Sequence, residues 1–324
     1  MTPAPTTSPE SRESRDLEGL FAVVVNWNGG EENQACLRSL LEAGLGEGQI
    51  LFVDNGSSDG SREAVGAAFP GLRYIDNGAN LGFGEGANQG ARAALEAGAS
   101  HVIFVNNDVT VPMGTLERLL EELSREARLG VVAPRVLYAG EEQRVWCAGG
   151  RLDWRQNLST LLGHGEPDGP HWRESRDVDY VAGCAMLVRV SVLEEVGLLE
   201  ADYFAYMEDV EFCLRVRRAG HGVRTVGEVH VWHAPSSATG GGYNPRRKYM
   251  QGVNSVHFLR RWGSARAWLR FLVFDVLSLL PLLLLAPLRG RTRAVLAKGL
   301  GILDGLRGRR VEAERLEPGG SLLW

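Results

Sequence analysis

Ile50-Leu51-Phe52-Val53-Asp54-Asn55-Gly56-Ser57-Ser58-Asp59-Gly60-Ser61 reads as a short strand running into a loop that starts a helix. Residues 50–53 are uniformly apolar and stop at a dense turn signal, the pattern of a strand covered on both faces. The Asp, Asn, Gly and Ser side chains that follow bond to nearby backbone and cap helices, and residues 62–69 continue as a helix. Upstream, residues 20–27 form a Val-rich apolar run ending at Asn28-Gly29-Gly30, followed by helix-compatible residues 31–43. Downstream, residues 72–75 give a third strand, residues 80–90 a glycine-rich turn opening a helix through Ala97, and residues 101–105 a fourth strand that delivers Asn106-Asn107-Asp108. Strand and helix alternate. The expected fold is therefore α/β, with a mostly parallel, doubly wound sheet and ligand loops at the carboxyl ends of its strands.

Farther along, residues 113–126 look helical and 131–138 extended, whereas the Gly-, Asp- and Trp-rich segment to Asp179 has no regular period. A chain of 324 residues with 44% hydrophobic content can bury one sizeable core, so two domains are not required. Its four cysteines, Cys36, Cys147, Cys184 and Cys213, are widely spaced. That spacing indicates neither a zinc site nor a disulfide framework, and predicts buried, reduced thiols. Residues 1–19 are rich in Pro, Ser, Thr and charge and lack the apolar core of a secretory signal, which predicts a disordered leader and a cytoplasmic location.

The carboxyl-terminal extension, residues 263–324, differs in kind from the catalytic-domain candidate, residues 20–262. Residues 271–288 are almost uniformly apolar, interrupted by Asp275 and Pro281 and bounded by Arg266, Arg270, Arg289, Arg291 and Arg293. The run sits at the lower length limit for a membrane span, and its internal Asp and Pro favour an interfacial or re-entrant element. Basic flanks suit anionic headgroups, which points to a peripheral position on the inner face of the cell membrane. A pair of core helices is the alternative. The basic residues lie beside apolar sequence without an interleaved aromatic platform, which argues against nucleic-acid binding.

Polar residues gather at the strand ends. Asp54 stands beside Asn55, where its carboxylate can accept the imide N–H of a uracil or thymine base, or brace the turn. Asp59, set among Ser58, Gly60 and Ser61, is the better turn brace. The loop Asn80-Leu81-Gly82-Phe83-Gly84-Glu85-Gly86-Ala87-Asn88 lets backbone approach a ligand, and its helix start suits a diphosphate or sugar. Its Gly82-x-Gly84-x-x-Ala87 spacing also fits a dinucleotide fingerprint. It follows the third strand rather than the first, however, which argues against a nicotinamide-dependent oxidoreductase. A nucleotidyltransferase would need a Gly-rich, Arg/Lys-containing loop directly after the first strand, and none is present there.

Asp108 closes an apolar strand, where a hard carboxylate oxygen can hold Mg2+ or Mn2+ while a diphosphate supplies further oxygens, or can simply serve a turn. About a hundred residues later, Glu208 and Asp209 enter the otherwise apolar run Phe204-Ala205-Tyr206-Met207-Glu208-Asp209-Val210-Glu211-Phe212-Cys213. A cation in one acidic site and a carboxylate base in the other suit sugar transfer from a nucleotide diphosphate. Residues 210–219 read as a helix, so the dipole would lower the pKa of Asp209 unless burial or closeness to the acceptor counteracts it. Arg246-Arg247-Lys248-Tyr249 can neutralise diphosphate charge or anionic lipid, and Arg247 is taken as a donor-phosphate candidate.

In order, Asn26-Trp27-Asn28, the Asp54-to-Ser61 turn, the Asn80-to-Asn88 loop, Asn106-Asn107-Asp108 and Glu208-Asp209 resemble the family 2 glycosyltransferases, particularly their bacterial rhamnosyltransferase-like branch. The resemblance spans residues 21–262. It implies a GT-A fold, a dTDP- or UDP-sugar donor with rhamnose favoured, Mg2+ or Mn2+, inversion at the anomeric carbon and a glycan or lipid-linked glycan acceptor. By that similarity Asp209 is the catalytic base, with Glu208 orienting it or touching the acceptor. Asp108 and His233 meet the metal, Asp54 meets the base, and Gly183 and Cys184 form the acceptor loop. Asn26, Asn28, Asn55, Asn80, Gly84, Asn88 and Asn107 complete the donor side. Asn106 stands where the Asp-x-Asp metal motif carries its first acid, so the chain departs from the usual metal motif there. It also raises the alternative of a catalytically degenerate sugar-nucleotide-binding or scaffold protein.

Overall fold

Alternate residues of β1 (Leu20–Asn26) face opposite sides of a central sheet. Phe21, Val23 and Val25 enter one hydrophobic cluster, and Leu20, Ala22 and Val24 enter the other. Burial on both faces is what makes the strand read as a continuous apolar run. The computed structural model describes residues 17–140, 143–155, 157–234, 243–317 and 319–324. Most of the expected leader lies outside them. Leu17, at the end of that stretch, is 1% exposed and accepts the Leu20 N–H, so ordered packing begins before β1.

The first half alternates as its sequence predicts. After β1 come α1 (Glu32–Glu42), β2 (Ile50–Asp54), α2 (Ser61–Ala68), β3 (Arg73–Asp76), α3 (Gly82–Glu96), β4 (His101–Asn106), the short β5 (Val109–Thr110) and α4 (Thr115–Arg125). β3, β2, β1 and β4 lie side by side in that order, all parallel, so the chain winds outward from β1 in both directions. The sheet then becomes mixed. β6 (Leu129–Tyr138) pairs with β7 (Val145–Cys147), and β8 (Gly150–Leu152) forms a separate hairpin with β9 (Ser159–Leu161). The irregular Trp-rich segment is thus built of short antiparallel pieces that end at β10 (Arg176–Asp177).

β11 (Ala185–Arg189) inserts antiparallel between β4 and β6. After α5 (Val190–Val196) and α6 (Glu208–Arg218), β12 (Gly222–His233) returns parallel to β6, and its last residues pair with β5. α3 and α6 cover one face of the sheet, while α1 and α4 cover the other. The four cysteines are free and buried.

The long α7 (Pro245–Trp262), capped by the Asn244 side chain at the Arg246 N–H, precedes the extension. Next, α8 (Ala265–Phe271) runs through one π-helical segment, Leu272–Leu277, into α9 (Leu279–Leu285). α10 (Thr292–Leu306) folds back against α7, and α11 (Ala313–Leu316) ends the helical part. The residue that interrupts the apolar run, Asp275, is turned inward and 0% exposed. It pairs with Lys298 at 2.5 Å and accepts the Asn157 N–H with both oxygens, at 3.1 and 3.2 Å. A charge incompatible with hydrocarbon is thereby used to fasten the helix to the Asn157 backbone. The opposite side leaves Leu269, Leu277, Leu280 and Leu284 exposed.

Candidate active site

Three parallel strands end together, and their terminal side chains form one hydrogen-bonded hub. Asn26, 0% exposed, donates through Nδ2 to Asp54 Oδ1 at 2.8 Å and to Ser57 Oγ and Ser61 Oγ at 3.0 Å. Its Oδ1 accepts from the Gly29 N–H at 3.0 Å, Asn33 Nδ2 at 2.9 Å and Asn107 Nδ2 at 3.3 Å. Gly29 has no room for a side chain, since a Cβ would lie 1.9 Å from Asn107 Nδ2. Asn28 donates its N–H to Ser57 Oγ and accepts the Ser58 N–H through Oδ1, which closes the first two loops on each other. Asp59 braces the turn, accepting from the Ser61 N–H, Ser61 Oγ and the Gly30 N–H.

Asp54 belongs to this hub rather than to its surface. It is 0% exposed, and its second oxygen accepts the Ser57 N–H at 3.0 Å, so the turn-bracing role is the one observed. Asn55 is likewise engaged, donating to the Gly82 carbonyl and accepting from Asn77 Nδ2. Asn80 accepts the Gly82 N–H and shapes the entry to α3.

The metal candidates meet because β5 pairs with β12, placing His233 opposite Val109. His233 Nε2 lies 3.2 Å from Asp108 Oδ1, while the Trp146 ring abuts the imidazole edge-on, with centroids 4.5 Å apart. That approach lacks hydrogen-bond geometry. Asp108 Oδ1 and His233 Nδ1 both remain buried without a hydrogen-bond partner. Orphaned atoms on a carboxylate and an imidazole are the donor types a divalent ion accepts. Among the described residues no group of three or more His, Cys, Asp or Glu could hold a metal. Asp108 and His233 thus offer at most two protein donors to such an ion, and the orphaned Nδ1 is the imidazole nitrogen that does not face Asp108.

Glu208 and Asp209 occupy the first turn of α6. Asp209 Oδ2 accepts the Gly183 N–H at 3.0 Å and Oδ1 accepts the Val210 N–H at 2.8 Å. Here the helix dipole and burial act in opposite directions on this carboxylate. Desolvation outweighs the backbone hydrogen bonds that favour its ionised form, and the pKa of Asp209 is raised. Burial, followed by the charge of Asp209, pushes Glu208 up to about 8, and its Oε2 is buried without a partner. Glu208 therefore keeps its proton at neutral pH, and the upward shift of Asp209 brings that carboxylate closer to the range in which a general base works.

The two acidic sites lie at one end of β4. Gly183 holds Asp209, the next residue's carbonyl accepts the Asn106 N–H at 3.0 Å, and Asp108 follows two residues later. The Cys184 thiol, pushed well up by burial, is further raised by the charges of Cys147, Asp108 and Asp209.

Several expected ligand contacts have a different use. Asn88 is 4% exposed and clamps both the N–H and the carbonyl of Leu199, at 3.0 and 2.9 Å. Gly84 packs against Glu200 and Ala201, and Gly82 against Phe204. The glycine-rich face of α3 therefore supports the loop before Asp209, which also removes the dinucleotide reading. Cys184 is 4% exposed, so its thiol is buried and only its backbone reaches the loop. Arg247 lies over the Tyr206 ring at 5.1 Å, beside the loop that precedes α6. Sequence reasoning missed Asn33, Trp146 and Asn254. The first and last are polar side chains on buried helix faces, a signal visible only once the faces are assigned.

A sheet in this order, with its polar loops at the carboxyl edge, has the GT-A fold of glycosyltransferase structures. The chain belongs to the family described as glycosyl transferase family 2, whose sequence profile matches residues 21–197. It is 31% identical over 241 residues to the N-acetylglucosaminyl-diphospho-decaprenol L-rhamnosyltransferase of Mycobacterium tuberculosis, covering 68% of this chain and 78% of that one. The low-salt glycan biosynthesis hexosyltransferase Agl10 of Haloferax volcanii is 28% identical over 205 residues, 62% of each chain. Among solved structures, the mannosyltransferase PcManGT of Pyrobaculum calidifontis, in complex with GDP-Man and Mn2+, aligns with a TM-score of 0.52 at 14% identity. That alignment covers 93% of this chain and 94% of that one.

Proposed function

We propose that this glycosyltransferase moves a hexose, rhamnose by kinship with the mycobacterial relative, from a dTDP- or UDP-linked donor to a lipid-linked glycan, with inversion. The convergence of Asp108 and Asp209 through Gly183, Cys184 and Asn106 carries the reading. Asp209 removes the proton from the acceptor hydroxyl. The acceptor oxygen then bonds to the anomeric carbon from the face opposite the departing nucleoside diphosphate, whose C–O bond breaks. Glu208 keeps the pocket's proton inventory tied to that of Asp209. Asp108 and His233 would hold Mg2+ or Mn2+, which supplies positive charge to the leaving diphosphate when bound. The Asn26 hub sets the spacing of the donor loops, with Asn28 and Asn107 at its rim.

The acceptor's lipid gives the extension a purpose. Helix Ala265–Leu285 is 21 residues long with only 11% of its apolar window buried. Its Asp275 anchor ties one face to the domain, which favours lying in the membrane interface over crossing it. Exposed leucines would enter the lipid and the arginines would meet headgroups.

A panel of nucleotide sugars tested by thermal shift with and without Mn2+ examines the donor side. One dTDP- or UDP-sugar should stabilise the protein in an Mn2+-dependent manner, and Asp108→Ala should remove that dependence. Stabilisation by no sugar nucleotide, or an undiminished Mn2+ effect in the variant, contradicts the assignment.

A further inference from the structure

The loop that presents Asp209 is held in a conformation few side chains adopt. Phe204, Tyr206 and Met207 have φ of 62°, 70° and 80°, the left-handed region that glycine favours, and none of them is glycine. Such a concentration of unfavourable backbone persists only where surrounding structure over-determines it. The restraints come from two helices. Gly84 N–H reaches the Phe204 carbonyl at 3.3 Å, and Gly82, at φ 82°, sits where a Cβ would lie 2.5 Å from that same oxygen. Asn254, 0% exposed on α7, directs Nδ2 at the carbonyls of Tyr203, Ala205 and Tyr206, each at 2.8 Å. Four successive carbonyls, 203 to 206, are thus captured from outside the loop.

We propose that Asn254 is a positioning residue for the transfer reaction, fixing the backbone turn that aims Asp209 at the acceptor; this rests on the role given to Asp209 above. An amide nitrogen carries two hydrogens, so three carbonyls must share them. Oδ1 of Asn254 is meanwhile buried without a partner. A buried, unmet acceptor is a cost that a core tolerates where the donor half is needed. Exchanging the amide's oxygen and nitrogen would set one oxygen against three others, so the surroundings leave a single orientation. The grip also bears on protonation. Burial raises the pKa values of Glu208 and Asp209, and a loosened loop would admit water and lower them.

The test compares Asn254→Ala with Val256→Ala, a core truncation on the same helix that touches none of these carbonyls. For Asn254→Ala, kcat should fall by about a hundredfold, the cost of misplacing a reacting group by roughly an ångström. The donor KM should stay within about twofold, and the acidic limb of the rate profile should move to lower pH. Val256→Ala should lower Tm and leave kcat and the limb in place. Asn254→Ser, which keeps one donor, should fall between, and it serves if the alanine variant does not fold. An asparagine variant that loses Tm alone, with kcat and the limb intact, overturns the proposal. Asp209→Asn run in parallel separates the two ideas. If that variant still turns over, the assignment of the base has failed; if it is inactive while the Asn254 variants behave normally, only this inference has.

Discussion

Replacing Glu208 with glutamine should stabilise the protein, increasingly so as pH rises. The Glu208 side chain is 6% exposed, and burial, then the charge of Asp209, moves its pKa from the ordinary 4.5 to about 8. Below the lower value the group is neutral in folded and unfolded chains alike and costs nothing. Between the two values the unfolded chain ionises while the folded chain keeps its proton, so stability falls as pH rises. Above about 8 the penalty is complete. The interval of 3.5 units, 8 minus 4.5, at 1.36 kcal/mol per unit sets a ceiling of about 5 kcal/mol. Asp209 shares the charge, so a gain of about 2–4 kcal/mol is expected to open between about pH 5 and pH 8.5. Glutamine has no charge to desolvate at either pH. Urea unfolding of parent and variant at both values measures the gap. Parallel stability curves, or a variant no more stable than its parent at the higher pH, would refute the reasoning.

Lys298→Met leaves the buried Asp275 carboxylate without its cation and should cost about 3–5 kcal/mol by urea unfolding. Adding Asp275→Leu should recover most of that, and an unchanged single variant would show the pair is not buried as described. Gly29→Ala pushes a Cβ into Asn107 and should cost about 1–3 kcal/mol in stability, with weaker donor binding by calorimetry. Unaltered donor affinity would separate the Asn26 hub from the donor site. Leu280→Glu combined with Leu284→Glu removes two exposed apolar contacts, each worth about 1.5–3 kcal/mol if buried in lipid. Sedimentation with phosphatidylglycerol vesicles should drop while turnover on a water-soluble acceptor persists; undiminished sedimentation would remove these leucines from the membrane contact.

β1, β2 and β4 were legible because burial on both faces turns them into bounded apolar runs, and residues 50–53 against β2 is the clearest case. The ordered polar loops were legible for a related reason, since parallel strands deliver their ends to one edge. What sequence does not carry is which way a side chain turns once an element is packed. Gly84 and Asn88 sit in the expected loop but face the 199–204 segment instead of solvent. Asp275 reads only as a break in an apolar run, and its partner Lys298, distant in sequence, becomes visible only on packing. For Asp209 the dipole is local and legible, whereas the burial that decides the sign of its shift comes only with packing, in which Gly183 meets the carboxylate. Antiparallel insertion of β11 between β4 and β6 likewise depends on pairing at long range.

The central claim is that Asp209 deprotonates the acceptor while a separate acidic site holds the donor. Turnover and donor affinity measured together for Asp209→Asn test it most directly. The account predicts a loss of transfer of about 10²–10⁴-fold or more with donor Kd within about twofold of the parent. Retained transfer, or donor binding lost in equal proportion, would contradict it.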